Sequence, residues 1–338
     1  MSAIDYLYDI WSHISHTVAG PTTRIWPLYL MATFFIGYGV YYHRKIDQPF
    51  LYWLVPKSIY QHPSTLVDIK VLLVSRALYG VGFFNLTLLN THIAMQLAVV
   101  PSPGQELRHL HPFIQAITLL LVADFATYLV HRLHHESRIL WPFHSLHHSA
   151  EVLSPITVYR KHPIYDLIGS LIKGILIGSF QGIVHMALKI PPDYAMVLGV
   201  NAGYFLFNLA GSNFRHSHIW LSYGRPIEYI FISPAQHQIH HSTNPRHFNK
   251  NYGEILAIWD WLFGTLYIPS EREELRFGLA NSEGTPLKQR HKGLISALMT
   301  PLQDSYKQLK KVKVKTLYPR SPADNNSNKP ARLTSNDQ

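Results

Sequence analysis

The residues of this sequence that are best suited to chemistry are three histidine triplets that share one spacing. They are His131-x-x-His134-His135, His144-x-x-His147-His148 and His237-x-x-His240-His241. On a helix, positions i, i+3 and i+4 lie on one face, so each triplet can direct two or three imidazoles at one point. With 22 histidines in 338 residues, roughly 0.1 such triplets per chain are expected by chance. The three triplets therefore predict a metal site, because a neutral imidazole can bind iron, zinc, copper or nickel.

The number of histidines indicates what kind of metal site this is. A closed zinc site uses four protein ligands, and a catalytic zinc site uses three together with a water. Eight or nine histidines are too many for one ion but suit two six-coordinate ions with positions open for O2. Copper is not excluded by ligand type. The sequence contains no cysteine, which excludes cysteine-bound zinc and iron–sulfur clusters, and no repeated Glu-x-x-His motif like that of the soluble di-iron bundles.

Five apolar segments flank the triplets and predict membrane crossings, each of which needs about 20 apolar residues. They cover residues 25–42, 71–100, 113–130, 164–186 and 194–210. Lys and Arg are frequent on the triplet side, whereas the loops near 101–112 and 189–193 hold only Arg108 and Lys189. By the positive-inside rule, five crossings, or four with one re-entrant segment, place all triplets on the cytoplasmic side. This cytoplasmic excess of Lys and Arg explains the net charge of +10 without a nucleic-acid partner. The sequence also shows no motif that binds nucleic acid.

The expected fold is thus an all-α, polytopic membrane protein with four to five transmembrane helices. Beyond Gly211 no apolar run is long enough to cross a membrane. We therefore expect residues 211–300 to form a cytosolic helical cap that holds a histidine-rich di-metal site. Residues 301–338 are expected to be a disordered tail, because Lys307 to Arg320 carries six basic residues and no acid.

The residues around the triplets resemble the fatty acid hydroxylase / sterol desaturase superfamily. Residues 124–136 (DFATYLVHRLHHE), 141–149 (WPFHSLHHS) and 233–241 (SPAQHQIHH) are similar to its three histidine boxes. The Asn251-Tyr252-Gly253 and 259–265 (WDWLFGT) segments are also typical of it. The resemblance is closest to the bacterial sterol-desaturase-like and alkylglycerol monooxygenase-like branch. It implies a catalytic domain over 113–270, after transmembrane helices in 1–112 and before a cap extension in 271–300 and the tail in 301–338.

The resemblance also implies that the boxes bind two iron ions. The matching residues are His131 and His135 of the first box, His144, His147 and His148 of the second, His237, His240 and His241 of the third, and His216 between the boxes. His134 has no fixed role in the superfamily and is either a further ligand or, as we favour, a hydrogen-bond partner of a ligand. His162 and His218 are similar candidates, and His162 could equally bind a lipid phosphate.

Three acids are candidates for supporting the ligands, because a metal-bound histidine usually donates its second ring N–H to a carboxylate or a carbonyl. Asp124 lies about two helical turns before His131, at the end of an apolar run, where an unpartnered acid is costly. Asp260 and Glu136 are the other two candidates, although Glu136 could equally be an exposed acid.

The reaction that the resemblance implies is hydroxylation or desaturation of a membrane lipid with O2. The sequence has no flavin or nicotinamide motif, no cysteine and no His-Pro-Gly-Gly signature, so a separate electron donor is expected: a ferredoxin, a cytochrome b5 or a reduced pterin. A zinc-dependent membrane hydrolase is the first alternative, but H-E-x-x-H is absent and the histidines are in excess. A metal or haem carrier is the second, but the triplets lie beyond the ends of the apolar segments.

Overall fold

The computed structural model describes residues 3–20, 23–81, 93, 111–188 and 194–317. Its helices α1 to α13 are Ala3–Ala19, Pro27–His43, Phe50–Leu54, Lys57–Tyr60, Pro63–Gly80, Pro112–Glu136, Trp141–His148, Pro163–Leu188, Tyr194–Leu209, Arg225–Glu228, Pro234–His240, Ile258–Leu262 and Leu294–Leu317. Short 3-10 turns cover Pro155–Tyr159, Ser212–His216 and Pro245–His247. The described residues form three isolated β-bridges and no strand, so the prediction of an all-α fold is confirmed.

Two of the described helices are long and apolar enough to cross a membrane. They are Phe113–Glu136, with a mean hydropathy of 1.9, and Pro163–Val184, with a mean hydropathy of 1.7. Only 28% and 22% of the residues in their apolar segments are buried inside the protein. A helix that is apolar on all sides belongs in a protein core or in a membrane, and side chains such as Phe113 and Ile175 face outward here.

The expected count of four to five crossings stays a prediction. Helices α2 and α9 occupy the first and fifth apolar segments, but they have 17 and 16 residues, fewer than the about 20 of a typical crossing. Of the second segment, residues 82–92 and 94–100 lie outside the described residues.

Helix α6 packs against both α8 and α9, and a glycine stands at each contact. A Cβ atom on Gly169 of α8 would lie 3.3 Å from Cγ1 of Val130, and one on Gly203 of α9 would lie 3.0 Å from Cδ2 of Leu120. Small residues let apolar helices approach closely. The C-terminal end of α6, which carries the first histidine triplet, is thereby fixed relative to both neighbours.

The short helix α7, which carries the second triplet, is held between α5 and α13. A helix of eight residues is marginal on its own. Here Leu146 is fully buried and packs with Val67 and Val71 of α5 and with Ala297 of α13. Tertiary packing therefore stabilises α7 and sets the direction of its histidines.

A buried ion pair ties α7 to α5. Arg160 Nη1 lies 2.8 Å from Asp68 Oδ1, and both side chains are 0% exposed. The same guanidinium donates through Nε to Leu146 O and through Nη2 to Ser149 Oγ, while Thr157 Oγ1 donates to Asp68 Oδ2. Because each polar atom has a partner, the pair can be buried without an unmatched charge.

Helix α13 departs from the sequence prediction. Residues 301–317 were expected to be disordered, but they continue this helix, so the prediction is wrong for them. Pro301 and Ser305 are buried, and Ser305 Oγ donates to Ile139 O at 2.9 Å. Lys307, Lys310 and Lys311 are exposed, and another face of the helix packs against α7 and α5. Residues 318–338 lie outside the described residues.

Asp68→Asn tests the buried ion pair. It leaves the Arg160 charge buried and uncompensated, so we expect the free energy of unfolding to fall by about 3–5 kcal/mol. Glu136→Gln is the control, because Glu136 pairs with Arg132 at the surface, where a pair contributes less than about 1 kcal/mol. Unfolding in a mixed-detergent titration measures both variants. Equal losses in the two variants would contradict the assignment.

Candidate metal centre

Nine histidines from α6, α7, α11 and the Ser212–His216 turn meet in two groups. The five-histidine cluster contains His131, His135, His144, His148 and His240, and the four-histidine cluster contains His147, His216, His237 and His241. Within each cluster the candidate ligand nitrogens all lie within 4.8 Å of one another. The clusters abut, since the ring centroids of His148 and His241 are 4.5 Å apart.

The triplets of α7 and α11 each divide between the two clusters. Each residue of a helix is turned by about 100° from the one before, so position i+4 is turned by about 40° to one side of position i and position i+3 by about 60° to the other side. On α7, the i and i+4 histidines join the five-histidine cluster and His147 joins the other. On α11 and its C-cap the assignment is reversed, and only His240 joins the five-histidine cluster. The triplet spacing on α7 and α11 therefore supplies histidines to two clusters rather than to one point.

In the five-histidine cluster, His144 Nε2 lies 3.0 Å from His131 Nε2 and 3.2 Å from His148 Nε2. The Nε2 atoms of His135 and His240 are buried and have no hydrogen-bond partner. A buried nitrogen without a partner is costly, and here such atoms turn toward the other rings of the cluster.

In the four-histidine cluster, three Nε2 atoms form a triangle. His216 Nε2 lies 3.1 Å from His237 Nε2 and 3.2 Å from His241 Nε2, and the last two are also 3.2 Å apart. A ring nitrogen is either a donor or an acceptor in neutral imidazole, so three nitrogens facing one another cannot all be satisfied by hydrogen bonds.

These distances fit metal coordination. Imidazole nitrogens bind zinc at about 2.0–2.1 Å, and adjacent ligands of an octahedral ion at such a distance are about 3 Å apart. The observed separations of 3.0–3.3 Å match this value. The donor set of both clusters therefore fits two ions, each with nitrogen ligands only.

Burial keeps the rings in the protonation state that binds metal. It lowers the pKa of His240 to about 4 and lowers the pKa of His144, His147, His237 and His241 further below the ordinary value. Neighbouring imidazoles and, for the last two, Arg215 add to the effect. At neutral pH the rings are thus uncharged, with a lone pair for a metal.

Two backbone carbonyls of one loop orient the five-histidine cluster. His131 Nδ1 donates to Tyr252 O at 2.7 Å, and His240 Nδ1 donates to Lys250 O at 2.8 Å. Each bond keeps the ring proton on Nδ1 and leaves the lone pair of Nε2 for a metal. The loop is built with left-handed backbone at Asn249 and Asn251, a conformation that asparagine tolerates better than most residues.

Asp260 and Asp124 hold this loop rather than the histidines themselves. Asp260 accepts from Tyr252 N at 2.8 Å and Gly253 N at 2.7 Å. Asp124 accepts from Ile255 N and Leu256 N just beyond them, and from the Trp259 indole. The two acids predicted to support the ligands therefore act through the backbone, with one carbonyl between Asp260 and His131.

The remaining predicted residues lie outside both clusters. His134 Nδ1 donates to Val130 O of its own helix, His162 Nε2 to Leu298 O, and His218 Nε2 to Trp53 O. Each of these bonds anchors a backbone segment. Glu136 pairs with Arg132 at the surface, which corresponds to the alternative of an exposed acid.

Glu254 was not predicted from the sequence. It lies 2.6 Å from Arg24 Nη2 and 2.9 Å from Arg215 Nη1. Burial raises the pKa of the Glu254 carboxyl, but the two guanidinium groups outweigh it and hold the pKa well below its usual range. Its position directly after Asn251-Tyr252-Gly253 was the available signal.

Two cavities reach the clusters. The outer cavity, of about 280 Å³, is lined by His135, His148 and His240 together with Trp141 and residues 278–282. The inner cavity, of about 110 Å³, lies between α6 and α8 and contacts both clusters. It is lined by His131, His144, His147, His216, His237, Arg24, Tyr79, Thr127, Val130, Val158, Lys161, Tyr165, Asp166, Gly169, Ser170, Lys173 and Glu254.

Asp260→Asn tests whether the loop positions the ligands. The amide cannot accept from both backbone N–H groups as the carboxylate does, so the Tyr252 carbonyl loses its support. Partners of this kind typically change metal affinity by about 10–100-fold, and we expect a loss in that range in a competition with a chelator. Glu136→Gln, an exposed position of α6 that pairs with Arg132, should leave the affinity unchanged. Wild-type affinity in Asp260→Asn would contradict the role of the loop.

Comparison with known proteins shows which family the residues of the site resemble. Residues 116–265 match the fatty acid hydroxylase family. The chain is 33% identical over 176 residues to the alkylglycerol monooxygenase of Xenopus tropicalis, with 52% of this chain and 34% of that protein covered. It is 31% identical over 223 residues to the ornithine lipid hydroxylase OlsE of Rhizobium tropici, with 63% of this chain and 60% of that protein covered.

A more distant relative is the Delta(7)-sterol 5(6)-desaturase of Saccharomyces cerevisiae, 23% identical over 227 residues, with 64% of this chain and 54% of that protein covered. The chain thus spans about a third of the length of the alkylglycerol monooxygenase and just over half of the other two. No solved structure matches the chain. All three relatives are oxidoreductases of lipids by name, and both histidine clusters draw on the matched residues. Residues 116–265, which include all nine clustered histidines, match the model of the fatty acid hydroxylase family.

Proposed function

We propose that this chain is an integral membrane oxygenase that uses two iron ions and O2 to hydroxylate or desaturate a lipid. The observation that carries the proposal is the pair of abutting clusters of buried, uncharged histidine nitrogens. The substrate class extends over fatty acyl, sterol-like and ether lipids, as the names of the relatives indicate.

The histidines would hold the ions, five around one and four around the other. Bound iron would supply the activation of O2 that attack on an unactivated C–H bond requires, which no amino-acid side chain provides. An octahedral ion with five or four protein ligands keeps positions open, which suits a small second reactant. The carbonyls of Lys250 and Tyr252 keep two rings aligned, and burial of most of the nine rings keeps bulk water away.

Membrane placement follows from the two apolar helices. The end of α6 that carries the first triplet lies at the boundary of its apolar segment, and so does the end of α8 that is nearer the clusters. The excess of Lys and Arg around the clusters, against the sparse opposite loops, supports the cytoplasmic side for the site.

Metal analysis of the purified protein tests the proposal. We expect about two iron ions per chain, and we expect His147→Ala to lower bound iron and abolish lipid oxidation, because it removes a ligand of the four-histidine cluster. His218→Ala should retain both, since His218 lies outside the clusters and bonds Trp53 O. His247 is unsuitable as a control, because it is buried and paired with Glu273. Bound zinc with hydrolytic activity, or full activity in His147→Ala, would contradict the proposal.

A separate electron donor is part of the proposal, since reduction of O2 needs two more electrons than the lipid supplies. Trp141 lies between the five-histidine cluster and a surface groove. Its ring centroid lies 5.0 Å from that of His135 and 5.5 Å from that of His148. The groove on its other side is mostly basic, and we call it the basic face. Six basic residues line it: Arg138, Lys288, Arg290, Lys307, Lys310 and Lys311. Asp304 and the buried His291 line it as well. An acidic carrier would be attracted to this face.

Turnover assays test the donor. Iron-loaded protein with lipid, O2 and NADPH alone should not turn over repeatedly, whereas an added reductase–ferredoxin pair should start product formation. Charge reversal in Lys307→Glu/Lys310→Glu should raise the KM for ferredoxin by about tenfold at low ionic strength. Lys70→Glu, an exposed change on α5, should not. Repeated turnover with NADPH alone, or equal KM values in both variants, would overturn this part of the proposal.

A further inference from the structure

The inner cavity contains two lysines that form no ion pair within 4.0 Å in the part of the chain that the structure describes. They are Lys161 and Lys173. Lys161 Nζ lies 5.6 Å from the centroid of the Tyr165 ring. Lys173 stands ten residues into α8, about 15 Å along a mainly apolar helix whose first turn carries Asp166. A charged side chain at such a position indicates function by default.

The charge around the cavity is positive before any metal is bound. Arg24, Lys161 and Lys173 line it, against Asp166 and Glu254, and Arg215 adds a positive charge on the far side of Glu254. Glu254 is already shared by the two guanidinium groups, so only Asp166 remains for the two lysines.

The ligand set increases this excess. All nine clustered residues are histidines, which are neutral when they bind a metal, so no ligand carboxylate offsets the charge of the ions. Bound cations are the largest local charges in such sites. A negatively charged group in the inner cavity would therefore be attracted by the lysines and by the centre together.

The cavity is small for a whole lipid. Its volume of about 110 Å³ is below the about 300–1,000 Å³ of pockets that enclose a drug-sized ligand. It has room for a head group and a short length of chain, while the outward apolar side chains of α8, such as Leu171 and Ile175, face the medium in which a lipid tail would lie.

We propose that the inner cavity binds the anionic head group of the lipid substrate, a phosphate or a carboxylate, through Lys161 and Lys173. That the bound lipid is the substrate rests on the proposed function, but binding of the head group does not depend on iron. Lys161 and Lys173 are the residues that select an anionic lipid over a neutral one. The hydroxyl of Tyr165, which lines the same space, is positioned as a further donor.

The test measures equilibrium binding of radiolabelled dodecyl phosphate to the purified, metal-free, full-length protein in a neutral detergent. Lys161→Gln and Lys173→Gln should each weaken binding by about tenfold, because each removes a charge-assisted hydrogen bond. Lys173→Arg should bind within about threefold of wild type, since it keeps the charge. Lys70→Gln, an exposed lysine of α5, is the matched control.

Asp166→Asn separates recognition of charge from damage to the fold. Removal of the one free acid should tighten dodecyl phosphate binding by about threefold, whereas a distorted cavity would weaken it. Wild-type affinity in both lysine variants, or weaker binding in Asp166→Asn, overturns the proposal. So does dodecanol that binds as tightly as dodecyl phosphate.

A competition arm identifies the source of the anion. Inorganic phosphate at equal concentration should not displace dodecyl phosphate, and displacement would assign the cavity to a free anion instead of a lipid. Portions of the same preparations are then loaded with iron, and their iron content is measured. Equal affinity for dodecanol and dodecyl phosphate with normal iron loading would remove the head-group assignment alone, whereas failure of the wild-type protein to load iron would remove the proposed function and leave the binding result intact.

Discussion

Nine uncharged imidazoles converge in a buried volume. Many of their Nε2 atoms face one another, so hydrogen bonds cannot satisfy all of them. This constraint accounts for much of the surrounding structure. The rings must be kept unprotonated, which burial achieves, and they must be kept aligned against mutual crowding, which the neighbouring elements achieve. The short helices α7 and α11 are almost fully buried because only tertiary packing can hold helices of this length.

The contacts that hold the site in place can be ordered by their distance from the histidine rings. Backbone carbonyls of Lys250 and Tyr252 touch the rings, and Asp260 holds the loop that carries these carbonyls. Farther out, Asp68 and Arg160 hold α7 against α5. Every charge in this series is matched inside the protein, whereas Lys161 and Lys173 in the inner cavity are not. The contrast separates groups that maintain the fold from groups that are free to meet a ligand.

Sequence reasoning located the ligands but not their partition. Spacing on a helix and the resemblance to known boxes identified all nine clustered histidines, and His216 depended on the resemblance alone. The division of the second and third triplets between two clusters depends on where α7 and α11 lie relative to each other, which the spacing alone does not determine. Asp124 and Asp260 were identified as supports, but their contact with a loop rather than a ring is a tertiary fact. Glu254 and the packed part of α13 were missed because long-range partners, Arg24 and Ile139, define them.

The shared helices have a consequence for how the centre fills. Because α7 and α11 each present histidines to both clusters, an ion bound in one cluster as proposed would also order the helix that serves the other. A second ion would then meet rings whose conformational entropy has already been lost, so its affinity would exceed that of the first. Loading of the two proposed positions would therefore be coupled, and chains that carry a single ion should be scarce at any intermediate metal supply.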